Sequence, residues 1–332
     1  MFSAEYIKNC KEIEQKLAPF LKSTYPRRIL PPSHEYGNPR LYATSLASIA
    51  YLSTTGYNAR NHVVGGVDLC VKQLIKYKVP TFFVHPELLK AVANTDISGD
   101  FYFNQLKWPF EAMVFCLPYK MSVEIFGLPV PWLSIARIPK GVYNLGPLTD
   151  AEITKDEIGF HYPVFANRHF PTDFGGIYPM DRTLSELINT RPFFTDDFAE
   201  SIVGKDGLSP EEDKRISDKA LKLTVLLVLA MISRPEHIEM GQIVRKCKVN
   251  DKNPAKNQDE LWSANVIGRG YVLKTEGKTR EGCIGATLRS HFRRGHYRRQ
   301  VFGPRYDIGG NEIAAAEREH KVIWIEPVLV NA

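Results

Sequence analysis

The chain has 332 residues, 44% of them apolar and 24% charged, a composition that argues against a disordered or fibrous polymer and provides for one or two hydrophobic cores. Its net charge of +6 resides in one stretch, residues 288–305: without Arg289, Arg293, Arg294, Arg298, Arg299 and Arg305, the 43 basic side chains fall level with the 37 acidic ones. Five cysteines, Cys10, Cys70, Cys116, Cys247 and Cys283, stand far apart and never as CxxC, which argues against a disulfide framework or a zinc ribbon and predicts free thiols in a reducing compartment.

The first ninety residues read as mainly helical. Tyr6, Ile7, Cys10, Ile13, Leu17 and Phe20 recur at three- to four-residue spacing and make one apolar face. Acids among the first residues, with no apolar core after a basic start, do not read as a secretory signal. Pro31, Pro32 and Pro39 interrupt regular structure before further helices over 41–52 and 67–77. A strand from Pro80 to Val84 then leads into a helix with Pro86 and Glu87 in its first turn and His85 at its cap.

From about 108 to 170 the pattern turns to β, in short runs such as "EAMVFCLPY" and "PWLSIARIP" rich in β-branched and aromatic residues. A glycine turn at Gly175 and Gly176 precedes a helix in "MDRTLSELINT". Ser209, Pro210 and Glu212 form a capping box at the start of a helix that runs to about Ser233, where Pro235 stops it. Its apolar run, 221–233, is shorter than the roughly 20 residues that cross a bilayer, so a buried core helix is expected. A polar linker over 245–260, a strand in "ANVIGRGYVLK", the arginine stretch and closing strands at Val322–Ile325 and Val328–Val330 complete the chain.

Helices, strands, a long helix and more strands in that order predict an α+β fold, with a mainly helical N-terminal part packed on a mixed sheet. The expected divisions are a helical region 1–107, an α+β core 108–244 with the long buried helix 210–233, and an arginine-rich module 261–332. The chain is expected to be cytoplasmic, with no membrane association.

No conventional catalytic motif is present. The nine histidines form no HExxH or HxH, and the glycines form neither GxGxxG nor a phosphate loop, so no metal and no cofactor is expected. Asp173 and Asp181 flank the glycine turn, while Asp196 and Asp197 read better as a helix cap than as a catalytic pair. Nucleophile motifs such as GxSxG or SxxK do not occur.

Weight therefore falls on "LRSHFRRGHYRRQVFGPR". Arginine makes bidentate hydrogen bonds to phosphate and stacks on bases, so Arg289, Arg293, Arg294, Arg298, Arg299 and Arg305 interleaved with Phe292, Tyr297 and Phe302 point to nucleic acid, RNA above DNA. In a helix, Arg289 and Arg293 would share one face, and Arg294 and Arg298 another. A second reading is a metal-independent ribonuclease, a toxin or anti-host factor. In it His296, held neutral by the surrounding positive charge, takes a proton from a 2′-hydroxyl while Tyr297, His291 or His320 supplies the acid. A third is an interaction protein with an acidic protein partner. Against all three stands a structural role, the arginines packing on acids from "TDDFAES", "SPEED" and "NQDE".

The segment "HFRRGHYRRQVFG", His291 to Gly303, followed by "WIEP", Trp324 to Pro327, with "NVIGRGY" upstream, resembles a C-terminal motif of proteins from bacterial plasmids, phages and related mobile elements. The resemblance covers about a fifth of the chain. It implies a prokaryotic, mobile-element setting and no particular activity, so no residue role is carried over from it.

Overall fold

The computed structural model describes residues 27–29, 32–33, 35–36, 81–97, 102–144, 150–164, 172–183, 186, 209–245, 260–276, 291–315 and 317–330. The helices expected over 3–23, 41–52 and 67–77 lie outside the described residues, as do most of the 245–260 linker and Asp196 and Asp197. Within the described residues the fold is α+β, with three α-helices and many strands in mixed sheets.

Thr81–Val84 forms β1, followed after His85 by α1, Pro86–Ala93, and β2, Thr95–Ile97. Pro86 and Glu87 stand in the first turn of α1 and His85 is its N-cap residue, as their chemistry dictates. Next come β3, Ala112–Cys116, then α2, Tyr119–Phe126, and the strands β4, Trp132–Ile138, β5, Glu157–Val164, and β6, Thr172–Pro179. The helix α2 corrects the all-β expectation for 108–170. Pro118 is its N-cap and Gly127 ends it, punctuation that the apolar run "YKMSVEIF" between them conceals. Gly175 and Gly176, expected in a turn, lie inside β6, where they pair with Phe160 and His161 of β5.

The longest element is α3, Pro210–Ser233. Ser209 Oγ accepts from the Glu212 N–H at 3.2 Å and the Glu212 carboxylate accepts from the Ser209 N–H at 3.1 Å, the reciprocal bonds of a capping box. Ile216, Ala220, Leu221 and residues 223–231 are buried along it, and it packs against α1, α2 and β4. Among the described residues no helix is long and apolar enough to cross a membrane.

Four further pieces build on this: β7, Ile238–Glu239; β8, Asn265–Ile267; β9, Lys274–Glu276; and β10, His291–Arg293. After them come β11, Gly295–Phe302, β12, Glu319–Ile325, and β13, Val328–Val330. The strand expected through "ANVIGRGYVLK" is broken in two because Gly268 takes φ 83° and lies so close to α1 that a Cβ there would stand 2.5 Å from that of Leu88.

The main sheet has seven strands in the order β7-β8-β1-β3-β4-β5-β6, with β8, β1 and β3 parallel and the rest antiparallel. Every residue of β1 and β3 is buried, so both faces of the central strands are covered, and their sequences run continuously apolar instead of alternating. Strands from all three expected divisions meet in this sheet, and one hydrophobic cluster joins Phe82, Phe115, Leu227 and Trp324. Of the smaller sheets among the described residues, two hold the C-terminal strands, β12-β11-β2 and β9-β13-β10.

Candidate nucleic-acid interface

The arginine stretch forms strands, not the helix whose faces it also fits: β10 and β11, with Arg289 outside the described residues. Spacings of three and four between arginines fit a helix, but residues 296–302 pair with β12 in an antiparallel ladder, from His296 opposite Ile325 to Phe302 opposite Glu319. At its start β11 also pairs in parallel with β2, Gly295 to Tyr297 against Thr95 to Ile97.

This start is fixed to the core. The Gly295 N–H donates to the Asn94 carbonyl at 3.1 Å, and a Cβ at this glycine would sit 2.6 Å from the Pro327 ring and 2.7 Å from the Ile325 carbonyl oxygen. Tyr297 is wholly buried, stacked on Trp324 with ring centroids 5.5 Å apart and planes 15° from parallel. Trp324 stacks in turn on Tyr271 at 5.5 Å, and its indole N–H donates to Thr95 Oγ at 3.2 Å. Behind the stack, Glu326, with only 9% of its side chain exposed, takes Arg234 at 2.5 Å and Lys274 at 3.2 Å.

Tyr297 is therefore corrected from a stacking platform or proton donor to a core residue. Its hydroxyl donates to the Leu226 carbonyl of α3 at 3.5 Å, and burial pushes its phenol well above the ordinary range. Neighbouring strand residues point to opposite faces, so His296 and Tyr297 cannot act on one substrate atom. His296 is half-buried on the outward face, level with Asp96 of β2 and Ile325 of β12. His320, paired with Val301, lies on the Tyr297 face instead, and His291 is on β10.

Beyond Tyr297 the burial pattern changes. Arg298, Arg299 and Gln300 are exposed in succession, and Phe302, Glu319 and Lys321 are exposed as well. Alternation of buried and exposed residues marks a strand with one face on a core, and here it thins without vanishing: on the Tyr297 face Val301, His320 and Val322 are half-buried, Val322 against the core, and Arg299 is exposed, while Arg298, Gln300, Phe302, Glu319 and Lys321 line the outward face. From Arg298 outward, β11 and β12 are a two-stranded arm.

Each expected arginine has a distinct place. Arg293 is exposed on β10, across from Val328. Arg294 Nη1 reaches Asp96 at 3.0 Å, and Lys222 of α3 reaches the other oxygen of that carboxylate at 2.6 Å. The hydrogen bond from Lys222, seconded by that from Arg294, holds the Asp96 carboxyl below its usual range. Arg298 donates to the Gln300 side chain at 3.3 Å, and Arg305 reaches Glu312 at 2.9 Å near the far end. No acid pairs with Arg299 among the described residues.

The two ion-paired arginines still expose most of their side chains, 75% for Arg294 and 65% for Arg305, so neither is buried against acid. Their partners are Asp96 and Glu312, not the acidic stretches named from the sequence. Of those, Glu211 and Glu212 belong to the first turn of α3.

Of the aromatics, Phe292 is half-buried against the core with Lys90 Nζ 5.7 Å from its ring centre. Phe302 is 47% exposed, with Lys321 Nζ 3.4 Å over its ring. Lys90, Lys222 and Lys321 add basic charge that the linear count missed, because they come from α1, α3 and the return strand. The same folding brings acids: Asp96 at the base of the arm, Glu319 beside Phe302, and Asp307 and Glu312 at the tip. The base is thus predominantly basic and the tip acidic. Among the described residues no group of three or more His, Cys, Asp or Glu gathers to hold a metal ion.

No curated protein matches the chain. A family model does match, over residues 82–332, a span that takes in the main sheet, α3 and the whole arm. With three quarters of its length covered, the chain belongs to the AcrVA2-like family, the anti-CRISPR type V subtype A2 family of phage and mobile-element proteins.

Proposed function

We propose that the chain counters a type V CRISPR system and, in doing so, binds RNA through the base of the C-terminal arm. The family membership supports the first part. The observation that carries the second is the run of exposed basic side chains along β10 and the first half of β11, Arg293, Arg294, Arg298 and Arg299, with Lys321 opposite Gln300 on the return strand. The acids among them, Asp96 and Glu319, are fewer.

The outward face of the arm, where Arg298, Gln300, Phe302 and Lys321 are exposed, lets a flexible strand lie along it, with Arg299 exposed on the other face. Arginine heads bond phosphates, and the uncovered side of Phe302 offers a surface for one base. Single-stranded RNA fits this better than a duplex, whose bases are already stacked. The reading requires binding and no reaction.

The experiment is a fluorescence-anisotropy titration of labelled single-stranded and duplex RNA and DNA between 50 and 300 mM salt (about a sixfold range). Tight binding to single-stranded RNA, with log K falling linearly in log salt, is the expected result. A salt-independent interaction, or none at the lowest salt, would remove this reading.

A further inference from the structure

At the far end of the arm the chain reverses in a small hairpin. The Ile313 N–H donates to the Arg305 carbonyl at 2.9 Å, Tyr306 and Glu312 bridge, and the Asp307 N–H donates to the Asn311 carbonyl at 2.9 Å. A turn closes it, the Gly310 N–H donating to the Asp307 carbonyl at 3.1 Å, with Gly310 at φ 85° as a three-residue hairpin loop requires. The Asp307 carboxylate accepts from the Asn311 N–H at 2.8 Å and from its side-chain amide at 3.1 Å. These bonds, the side-chain one foremost, hold the Asp307 carboxyl below its ordinary range.

Ile308 stands at the apex of this locked turn, 109% exposed and without packing on the fold, beside Tyr306 at 53%. Single apolar residues on a surface are ordinary. This one differs in its setting: a turn position that asks for no β-branched side chain, in a hairpin closed by the hydrogen bonds among Asp307, Gly310 and Asn311. Placing Ile308 there contributes nothing to the core, while the fixed backbone removes the ordering that binding would otherwise require. The three acids Asp307, Glu312 and Glu317 outnumber the two basic residues, Arg305, whose guanidinium is already engaged by Glu312, and Arg318, which donates to the Gly303 carbonyl at 2.8 Å. Acids repel a phosphate backbone and complement a basic surface.

We infer that the tip is a protein-docking finger: Ile308 enters an apolar pocket on a partner protein, and Asp307 and Glu312 meet basic side chains at the pocket rim. Proteins that hold nucleic acid carry such basic surfaces, RNA-guided effectors among them. The inference concerns the tip alone and does not depend on RNA binding at the base of the arm.

The test uses a purified type V effector protein without guide RNA, immobilised, with the full chain as analyte in biolayer interferometry. Burying one isoleucine side chain corresponds to roughly ten- to a hundredfold in affinity, so Ile308→Asp should weaken binding by at least about tenfold while Ile308→Val stays within about threefold. Arg298→Ala with Arg299→Ala should leave this interaction within about threefold. An unchanged thermal midpoint for Ile308→Asp is the folding control, as expected for a side chain without internal contacts. No binding by the unmodified chain, or equal binding by Ile308→Asp, overturns the inference. So does loss of RNA affinity in Ile308→Asp with effector binding intact, which would make the tip a nucleic-acid wedge.

Discussion

The placement of Tyr297 separates a core residue from a functional one, and paired substitutions measure the difference. Tyr297 is 0% exposed and stacked on Trp324 at 5.5 Å, so Tyr297→Ala removes a whole aromatic ring from a packed site and opens a cavity between β11, β12 and α3. Large-to-small changes of this kind cost about 3–5 kcal/mol. Tyr297→Phe keeps the ring and loses only the hydroxyl, whose bond to the Leu226 carbonyl is long at 3.5 Å, so its cost should stay under about 1 kcal/mol. Urea denaturation followed by tryptophan fluorescence gives both values, and RNA binding by the Phe variant is measured alongside. The account expects Tyr297→Phe to fold and to bind RNA like the unmodified chain. A Phe variant of full stability that has lost RNA binding would show that the hydroxyl acts on a ligand, contrary to the burial argument.

Gly295→Ala should destabilise the chain by about 1–3 kcal/mol in the same assay, since the added methyl must displace Pro327 or the Ile325 carbonyl. Ser209→Ala should cost about 1 kcal/mol through loss of the capping box of α3, read from the shift in urea midpoint. Asp96→Asn has a pH signature. The folded carboxyl lies below its unfolded value, so the stability it contributes is present above about pH 4 and is lost as pH falls through the folded pKa. With 41% of the Asp96 side chain exposed, its two ion pairs together are worth about 1 kcal/mol; the difference between Asp96→Asn and the unmodified chain should be that large at pH 7 and vanish near pH 2 in thermal melts. An unchanged difference across that range would contradict the assignment.

Local chemistry was legible where a signal and its effect lie close in sequence. Ser209, Pro210 and Glu212 announced the start of α3, and Pro235 its end, because caps and breakers act within a few residues. Pro86 and Glu87 marked α1 in the same way. The closing strands were visible as β-branched runs, and the mobile-element setting agrees with the family found.

The arm was harder to read because its character comes from partners remote in sequence. Spacings between Arg293, Arg294, Arg298 and Arg299 satisfy helix and strand alike, and only pairing with β13 and β12 decides. Tyr297 sits between charged neighbours, and its burial follows from Trp324 and α3, which the local pattern does not mention. Charge counted along 288–305 leaves out what folding brings from elsewhere, Lys90, Lys222 and Lys321 on one side and Asp96, Glu312 and Glu319 on the other. The glycines of "FGPRYDIGGN" read as turns from the sequence, and Asp307 and Asn311 flanking Gly309 and Gly310 add the hairpin chemistry that places Ile308 at the apex.

The most direct measurement of the central claim is the salt dependence of single-stranded RNA binding for the unmodified chain and for Arg298→Ala with Arg299→Ala. Each phosphate contact on a single strand contributes about 0.7 to the slope of log K against log salt, so removing two should flatten it by about 1.4 and weaken binding at every salt concentration. An identical slope and affinity in the double variant would show that the arm does not bind RNA through these arginines.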